Sequence, residues 1–202
     1  MAEVTIYGDS ISGNCYKPKL AAAQTGFDYR WVEVDLMAGE TRTPEFLAMN
    51  PNGKVPLMDL GDGRYLPESN AMLWYIAEGS ALVGTDRFAR AGVLSWMFFE
   101  QYSHEPFIAT SRFIVRYLGN PPDKQQSLEA KKAGGYRALN VMEKHLETHA
   151  YFANDAYSIA DIALFAYTHV AHEGGFDLSS YPAVNEWLER VRSTDGFVPM
   201  TQ

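Results

Sequence analysis

The sequence predicts a small mixed α/β domain over residues 1–79, followed by an all-helical domain over residues 86–202. Two observations carry this prediction. Short runs of β-branched and aromatic residues alternate with helical patterns in the first 78 residues, whereas the chain after residue 86 holds long helical patterns and no convincing strand. Residues 79–85 have the composition of a linker between the two, and 202 residues suffice for two small domains with real cores.

Composition excludes several classes of protein. Hydrophobic residues make up 47% of the chain and charged residues 21%, as in folded globular proteins. The formal net charge is -8 and there is no run of Lys or Arg, so nucleic acid is not an expected partner. No apolar run has the length of a membrane span, no signal peptide is evident, and a single cysteine cannot form an internal disulfide. We therefore expect a cytoplasmic protein with no membrane partner.

The elements of the first domain follow the order β-α-β-α-β-β-α. They are predicted at strand 4–7, helix 16–24, strand 29–34, short helix 44–47, strand 55–60, strand 64–66 and helix 71–78. A helix between the first two strands makes them a parallel pair, and Gly61-Asp62-Gly63 turns the last two strands into a hairpin. Gly26 is expected to end the first helix. Pro18 implies that this helix begins near Asn14 or is kinked.

The second domain is predicted to hold four helical stretches, at 88–118, 123–149, 158–172 and from 181 onward. Pro106 should kink or split the first of them. Gly134 and Gly135 should weaken the second. The third starts with Ser158-Ile159-Ala160-Asp161, which has the pattern of a capping box.

Ser12-Gly13-Asn14-Cys15 is the first candidate site, because a strand end and a helix N-terminus meet there and favour an anion. Its Ser-x-x-Cys spacing is that of a redox Cys-x-x-Cys with serine in first place. The alternative is a serine N-cap followed by a buried cysteine.

Two other stretches have the chemistry of a binding site. Val55-Pro56, with a cis peptide bond, would turn the Val55 backbone outward to pair with an extended peptide; the alternative is a trans proline that starts an edge strand. Glu68-Ser69-Asn70 precedes a helix and could hold the carboxylate and ammonium of an α-amino acid; the alternative is plain N-capping by Ser69. The histidine pairs 145/149 and 169/172 lack a third ligand, so no metal is expected.

The order and spacing of four stretches, at 12–17, 50–56, 68–71 and 158–161, resemble those of the cytosolic glutathione transferases. The first stretch is similar to that of bacterial, serine-type members, and the resemblance covers essentially the whole chain. It implies a thioredoxin-like N-terminal domain, an all-helical C-terminal domain, a homodimer, and glutathione as co-substrate without another cofactor. The implied reaction is attack of the glutathione thiolate on an apolar or aromatic electrophile.

The resemblance also implies roles for individual residues. Ser12 would donate a hydrogen bond to the glutathione sulfur, with Asn14 and Cys15 as further catalytic candidates. Asp161 would be structural. The implied glutathione contacts are Val55 before a cis Pro56 for the cysteinyl unit, Glu68 and Ser69 for the γ-glutamyl end, and Lys54, Arg42 and Asn52 for the glycine carboxylate. The expected walls of the electrophile pocket are Tyr102, His104, Phe107 and Phe113, with Ile11 from the first domain.

Two alternative functions remain open at this stage. One is a glutathione-dependent disulfide reductase that works through Ser12, Asn14 or Cys15. The other is a non-enzymatic glutathione-binding protein that uses the fold as an interaction surface.

Overall fold

The computed structural model describes residues 3–201, which form two compact units. The first unit includes the chain up to Ser80 and the segment from Asp195 onward, and the second runs from Ala81 to Thr194. The predicted range 86–202 for the helical domain differs from this division from residue 195 onward. The Tyr16 hydroxyl donates a hydrogen bond to the Val198 carbonyl at 2.6 Å, and Met200 is buried, so this segment packs with the first unit.

A four-stranded mixed sheet in the order β2-β1-β3-β4 lies at the centre of the first unit. The strands are β1 (Thr5–Gly8), β2 (Arg30–Glu33), β3 (Leu57–Asp59) and β4 (Tyr65–Pro67). β1 and β2 are parallel, whereas β1–β3 and β3–β4 are antiparallel, which confirms the predicted crossover and hairpin.

The described part of the first unit also contains the α-helices α1 (Gly13–Thr25), α2 (Pro44–Met49) and α3 (Ser69–Ala77). Tyr7, Phe46 and Leu57 form one apolar cluster between the sheet and α2. Side chains alternate along a strand, so the neighbours Ile6 and Met58, both fully buried, lie on the other face. The predicted fold class, thioredoxin-like βαβ-ββα followed by an all-helical domain, is confirmed.

The bounds of α1 place its first turn at the candidate site. The helix begins at Gly13 with Ser12 as its N-cap, and it ends at Gly26, whose φ of 70 lies in the left-handed region. The helix thus begins one residue before Asn14, close to the first of the two alternatives for Pro18. This proline nevertheless lies inside the helix, where it cannot donate to the carbonyl of Asn14.

The second unit contains α4 (Arg87–Phe99), α5 (Glu105–Arg112), α6 (Gln125–Leu146), α7 (Ile159–Thr168) and α8 (Pro182–Arg192). A π-helical turn, Glu100–His104, joins α4 to α5 directly before Pro106, so the predicted irregularity is confirmed. Among residues 3–201 no helix is long and apolar enough to cross a membrane.

Buried α7 is the core of the second unit. The predicted capping box is present, and Asp161 Oδ2 accepts the Ser158 N–H at 3.0 Å. Asp161 Oδ1 also accepts hydrogen bonds from Trp187 Nε1 at 3.0 Å and from the Phe152 N–H at 3.1 Å. Asp161 thus has the expected structural role.

Helix α6 runs through Gly134 and Gly135 without a break. Both glycines are buried, and a Cβ at Gly134 would collide with the ring of Phe107. A Cβ at Gly135 would collide with the ring of Phe176 in the same way. The two positions lack a side chain because α6 needs room for these aromatic rings.

Candidate functional site

Ser12 stands at the positive end of α1. Its Oγ accepts a hydrogen bond from the Cys15 N–H at 3.5 Å, the geometry of an N-cap, and its side chain is only 8% exposed. Two carboxylates hold the loop before it: Asp9 Oδ1 accepts from the Ile11 N–H at 2.9 Å, and Glu33 Oε1 from the Ser10 N–H at 2.8 Å. The hydroxyl is therefore fixed at a helix N-terminus, where negative charge is favoured.

Cys15 points into the core and is fully buried. Burial raises the pKa of its thiol to about 12, although hydrogen bonds from the Ser12 side chain and from the Asp9 N–H act in the opposite direction. A neutral, inaccessible thiol is not a nucleophile at physiological pH. We therefore correct the expectation that Cys15 is a catalytic residue. The structure therefore has Ser12 as a helix cap and Cys15 as a core residue. The Ser12 hydroxyl can still act on the sulfur of a bound ligand.

The Val55–Pro56 peptide bond precedes β3 and is cis. Val55 is half-buried, and its backbone N–H and C=O make no hydrogen bond to another residue within 3–201. A main chain with both groups open can pair with an extended peptide.

Glu68 and Ser69 form the entry to α3. Glu68 has a φ of 72, a strained conformation for a residue with a side chain, and it makes no side-chain cap hydrogen bond. Ser69 is the first residue of the helix rather than its cap, so the capping alternative for Ser69 is wrong. The exposed carboxylate of Glu68 and the N-terminus of α3 offer the two charges that an α-amino acid requires.

Arg42, Asn52 and Lys54 are brought together around one loop. Arg42 Nη1 donates to the Asn52 carbonyl at 3.3 Å, and the buried Asn50 donates through Nδ2 to the Lys54 carbonyl at 2.8 Å. Gly53 has a φ of 60 and lies against the Arg42 guanidinium, where a Cβ would collide. Two exposed cationic side chains therefore flank a rigid loop, an arrangement suited to a carboxylate.

Lys17 is a residue for which the sequence analysis proposed no role. Its side chain is 0% exposed, and its Nζ donates to Ser69 Oγ at 3.4 Å and to Asn70 Oδ1 at 3.2 Å. Ser69 Oγ in turn donates to Asn14 Oδ1 at 3.2 Å. Lysine is rarely buried completely, so its identity gave no indication of this position.

The residues expected to form the electrophile pocket have different environments. His104 is fully buried with Nε2 2.9 Å from Thr168 Oγ1, so its prediction as a pocket wall is wrong. Phe107 packs against Gly134 inside the helical unit. Tyr102 is 84% exposed and Phe113 is 40% exposed, with its ring stacked on Tyr117. Ile11 is half-buried in the first unit.

A separate cleft of about 610 Å³ lies in the helical unit, lined in part by His169, His172, Phe176 and Arg192. Its Arg192 guanidinium is paired with Glu189 of the same unit. Burial lowers the pKa of His169 to about 4, so this imidazole is neutral. Within residues 3–201, no cluster of three or more His, Cys, Asp or Glu side chains could hold a metal ion.

Two family models match the chain: "Glutathione S-transferase, N-terminal domain" over residues 2–78 and "Glutathione S-transferase, C-terminal domain" over residues 96–195. The crystal structure of a glutathione S-transferase from Pseudomonas fluorescens superposes with a TM-score of 0.96 at 50% sequence identity, covering 100% of both chains.

Two further relatives differ in the activity that their names give. Glutathione S-transferase 3 of Zea mays is 32% identical, with 98% of this chain and 92% of the relative covered. The disulfide-bond oxidoreductase YfcG of Escherichia coli is also 32% identical, with 89% of this chain and 86% of the relative covered.

Proposed function

Because this chain belongs to the glutathione S-transferase family, an enzyme family, we propose that it joins the glutathione thiolate to an apolar electrophilic carbon, with Ser12 stabilising the thiolate. The single observation that carries this proposal is the Ser12 hydroxyl, fixed at the N-terminus of α1 in the first unit. The proposed role of Ser12 and the resemblance to serine-type bacterial members rest on the same feature, a serine at the start of the helix.

The energetics support such a role. A free thiol has a pKa of about 8.5, so most of it is protonated at neutral pH. Lowering that pKa by about two units requires about 2.7 kcal/mol. A hydrogen bond from a hydroxyl to a charged group contributes about 1.5–3 kcal/mol, and the helix N-terminus adds up to about 1 kcal/mol. Ser12 can supply the donor because a hydroxyl rotates to suit its acceptor.

The rest of glutathione fits the first unit as an extended peptide. The open backbone groups of Val55 pair with the cysteinyl unit. Glu68 holds the α-ammonium, and the N-terminus of α3 at Ser69 holds the α-carboxylate. Arg42 and Lys54, next to Asn52, meet the glycine carboxylate.

In the proposed reaction the bound thiol loses its proton to solvent, and the sulfur attacks the electrophilic carbon. The new sulfur–carbon bond forms as the bond from that carbon to its leaving group breaks, and the leaving group departs with the electron pair. Tyr102 and Phe113 are the proposed aromatic contacts for the electrophile in the helical unit. We also propose that the enzyme is a cytoplasmic homodimer.

The test is conjugation of glutathione to a generic aryl halide by wild type, Ser12→Ala and Cys15→Ala. We expect Ser12→Ala to lose about tenfold or more in turnover, equivalent to about 1.4 kcal/mol. Cys15→Ala should keep near-wild-type turnover, because its thiol is buried. Full activity in Ser12→Ala, or loss of activity confined to Cys15→Ala, would overturn the assignment.

A second candidate function is glutathione-dependent disulfide reduction, which the similarity to YfcG favours. The same thiolate, held by Ser12 or Asn14, attacks one sulfur of a disulfide and releases the other as a thiolate. A second glutathione thiolate then attacks the mixed disulfide, giving oxidised glutathione and the second substrate thiol. Rates with a small-molecule disulfide and with the aryl halide, measured side by side, distinguish the two reactions.

A further inference from the structure

We propose that Lys17 is a positioning residue of the glutathione site. Its buried ammonium fixes Ser69 and, through Ser69, the carboxamide of Asn14. This proposal rests on the proposed function in one respect: glutathione binds with its thiol at the start of α1 and its γ-glutamyl end at the start of α3.

The direction of the hydrogen bonds carries the inference. An ammonium group only donates, so Ser69 Oγ must accept from Lys17 Nζ, at 3.4 Å. The one hydroxyl proton of Ser69 is then directed to Asn14 Oδ1, at 3.2 Å. Because the carboxamide is planar, its nitrogen, the donor end, is turned away from Ser69. Lys17 therefore determines which end of Asn14 faces α3.

The position of this network between two helix starts gives it a functional consequence. Asn14 lies in the first turn of α1, and Ser69 and Asn70 begin α3. The Lys17 Nζ donor thus joins these two helix starts inside the protein, where it is shielded from solvent. The donors that this network orients at the two helix starts favour a ligand that carries a carboxylate at α3 and a thiolate at α1. Both ends of glutathione should thus depend on Lys17.

The test compares Lys17→Met and Lys17→Arg with Lys19→Met, a matched control that removes a half-buried lysine from the same helix. We expect Lys17→Met to raise KM for glutathione about tenfold, equivalent to about 1.4 kcal/mol. It should also raise the pKa of the bound glutathione thiol by about one unit. Lys17→Arg should recover part of both effects, and Lys19→Met should match wild type.

A merely structural Lys17 would lower the melting temperature and leave the bound-thiol pKa and KM unchanged, and that result would overturn the proposal. If wild type itself bound no glutathione, the proposed function would fall instead, so the two failures are distinct.

Should Lys17→Met not fold, Ser69→Ala provides the same test. It breaks the link to Asn14 but keeps the Ser69 backbone N–H for the ligand carboxylate. Residue 69 would lie at the γ-glutamyl end of glutathione, far from the sulfur. We nevertheless expect this variant to raise the pKa of the bound thiol. An unchanged thiol pKa would contradict the proposal.

Discussion

Ser12 Oγ lies 3.5 Å from the Cys15 backbone nitrogen, and this contact gives the Ser12 side chain a structural role. The oxygen accepts a hydrogen bond and caps α1, which satisfies one of the unpaired N–H groups at the helix start. Because capping uses only a lone pair, the hydroxyl proton, which in this structure interacts with the Cys15 sulfur, can rotate to the sulfur of a bound thiol. The capping and catalytic interpretations of Ser12 are therefore compatible.

Backbone strain at Glu68 predicts a trade-off between stability and binding. A non-glycine residue with a φ of 72 costs about 1–3 kcal/mol, and glycine adopts this φ freely. Glu68→Gly should therefore unfold at a urea concentration equal to or above that of wild type. Glu68→Ala keeps the backbone strain, so it should not gain stability in this way.

Both Glu68 variants lack the carboxylate, so both should bind glutathione about tenfold more weakly. Urea unfolding and calorimetric titration with glutathione separate the two effects. Unchanged affinity in both variants would show that the Glu68 carboxylate does not contact the ligand.

Because Gly134 lies close to the Phe107 ring, we expect Gly134→Ala to destabilise the protein, the reverse of the usual effect of Gly→Ala in a helix. Gly→Ala inside a helix ordinarily stabilises by about 1 kcal/mol, but a methyl group at residue 134 collides with the Phe107 ring. Gly134→Ala should lower the free energy of unfolding by about 1–3 kcal/mol.

The same Gly134→Ala change should become neutral or stabilising in a Phe107→Ala background, because the ring is gone. A thermodynamic cycle of the two variants, measured by urea unfolding, tests this. Equal effects in both backgrounds would disprove the steric explanation.

His169 predicts a loss of stability at low pH. Burial lowers its pKa to about 4 in the folded protein, whereas an unfolded histidine titrates near 6.5. Between these values the unfolded chain binds the additional proton, so the free energy of unfolding falls as the pH drops from about 7.5 to 4, by about 3 kcal/mol. His169→Gln should lack this contribution, and the exposed His172→Gln should retain it.

The difference in unfolding free energy between His169→Gln and wild type isolates the contribution of the His169 imidazole. Asp161, whose pKa burial raises to about 6, titrates in both proteins and cancels. Across this pH range the difference in unfolding free energy between the two proteins should therefore change by about 3 kcal/mol. Parallel pH profiles for the two proteins would contradict the predicted shift.

Local patterns were sufficient for most of the fold and for much of the site. Alternating and helical periodicity predicted the sheet and helices, and capping chemistry predicted the start of α7. Sequence reasoning also placed Ser12 at a helix N-terminus and Glu68 at the entry to α3.

The sequence-based predictions failed where the position of a residue depends on packing against residues far away in the chain. The burial of Lys17 depends on Ser69, 52 positions away in the chain, and the C-terminal segment joins the first unit through contacts such as Tyr16 to Val198, 182 positions apart. Gly134 was interpreted by helix propensity alone, because its neighbour Phe107 belongs to another helix. His104 was assigned to a pocket because periodicity does not show which face of a helix is buried against Thr168.

Ionisation of bound glutathione tests the central claim most directly. Ultraviolet difference spectra of the enzyme–glutathione complex, recorded across pH, report the thiolate itself without a second substrate. We predict a thiol pKa lowered by about two units in wild type, a similar value in Ser12→Thr, which keeps a hydroxyl, and a value about 1–2 units higher in Ser12→Ala. Equal thiol pKa values in wild type and Ser12→Ala, with glutathione bound to both, would contradict the assignment of Ser12 as the thiolate donor.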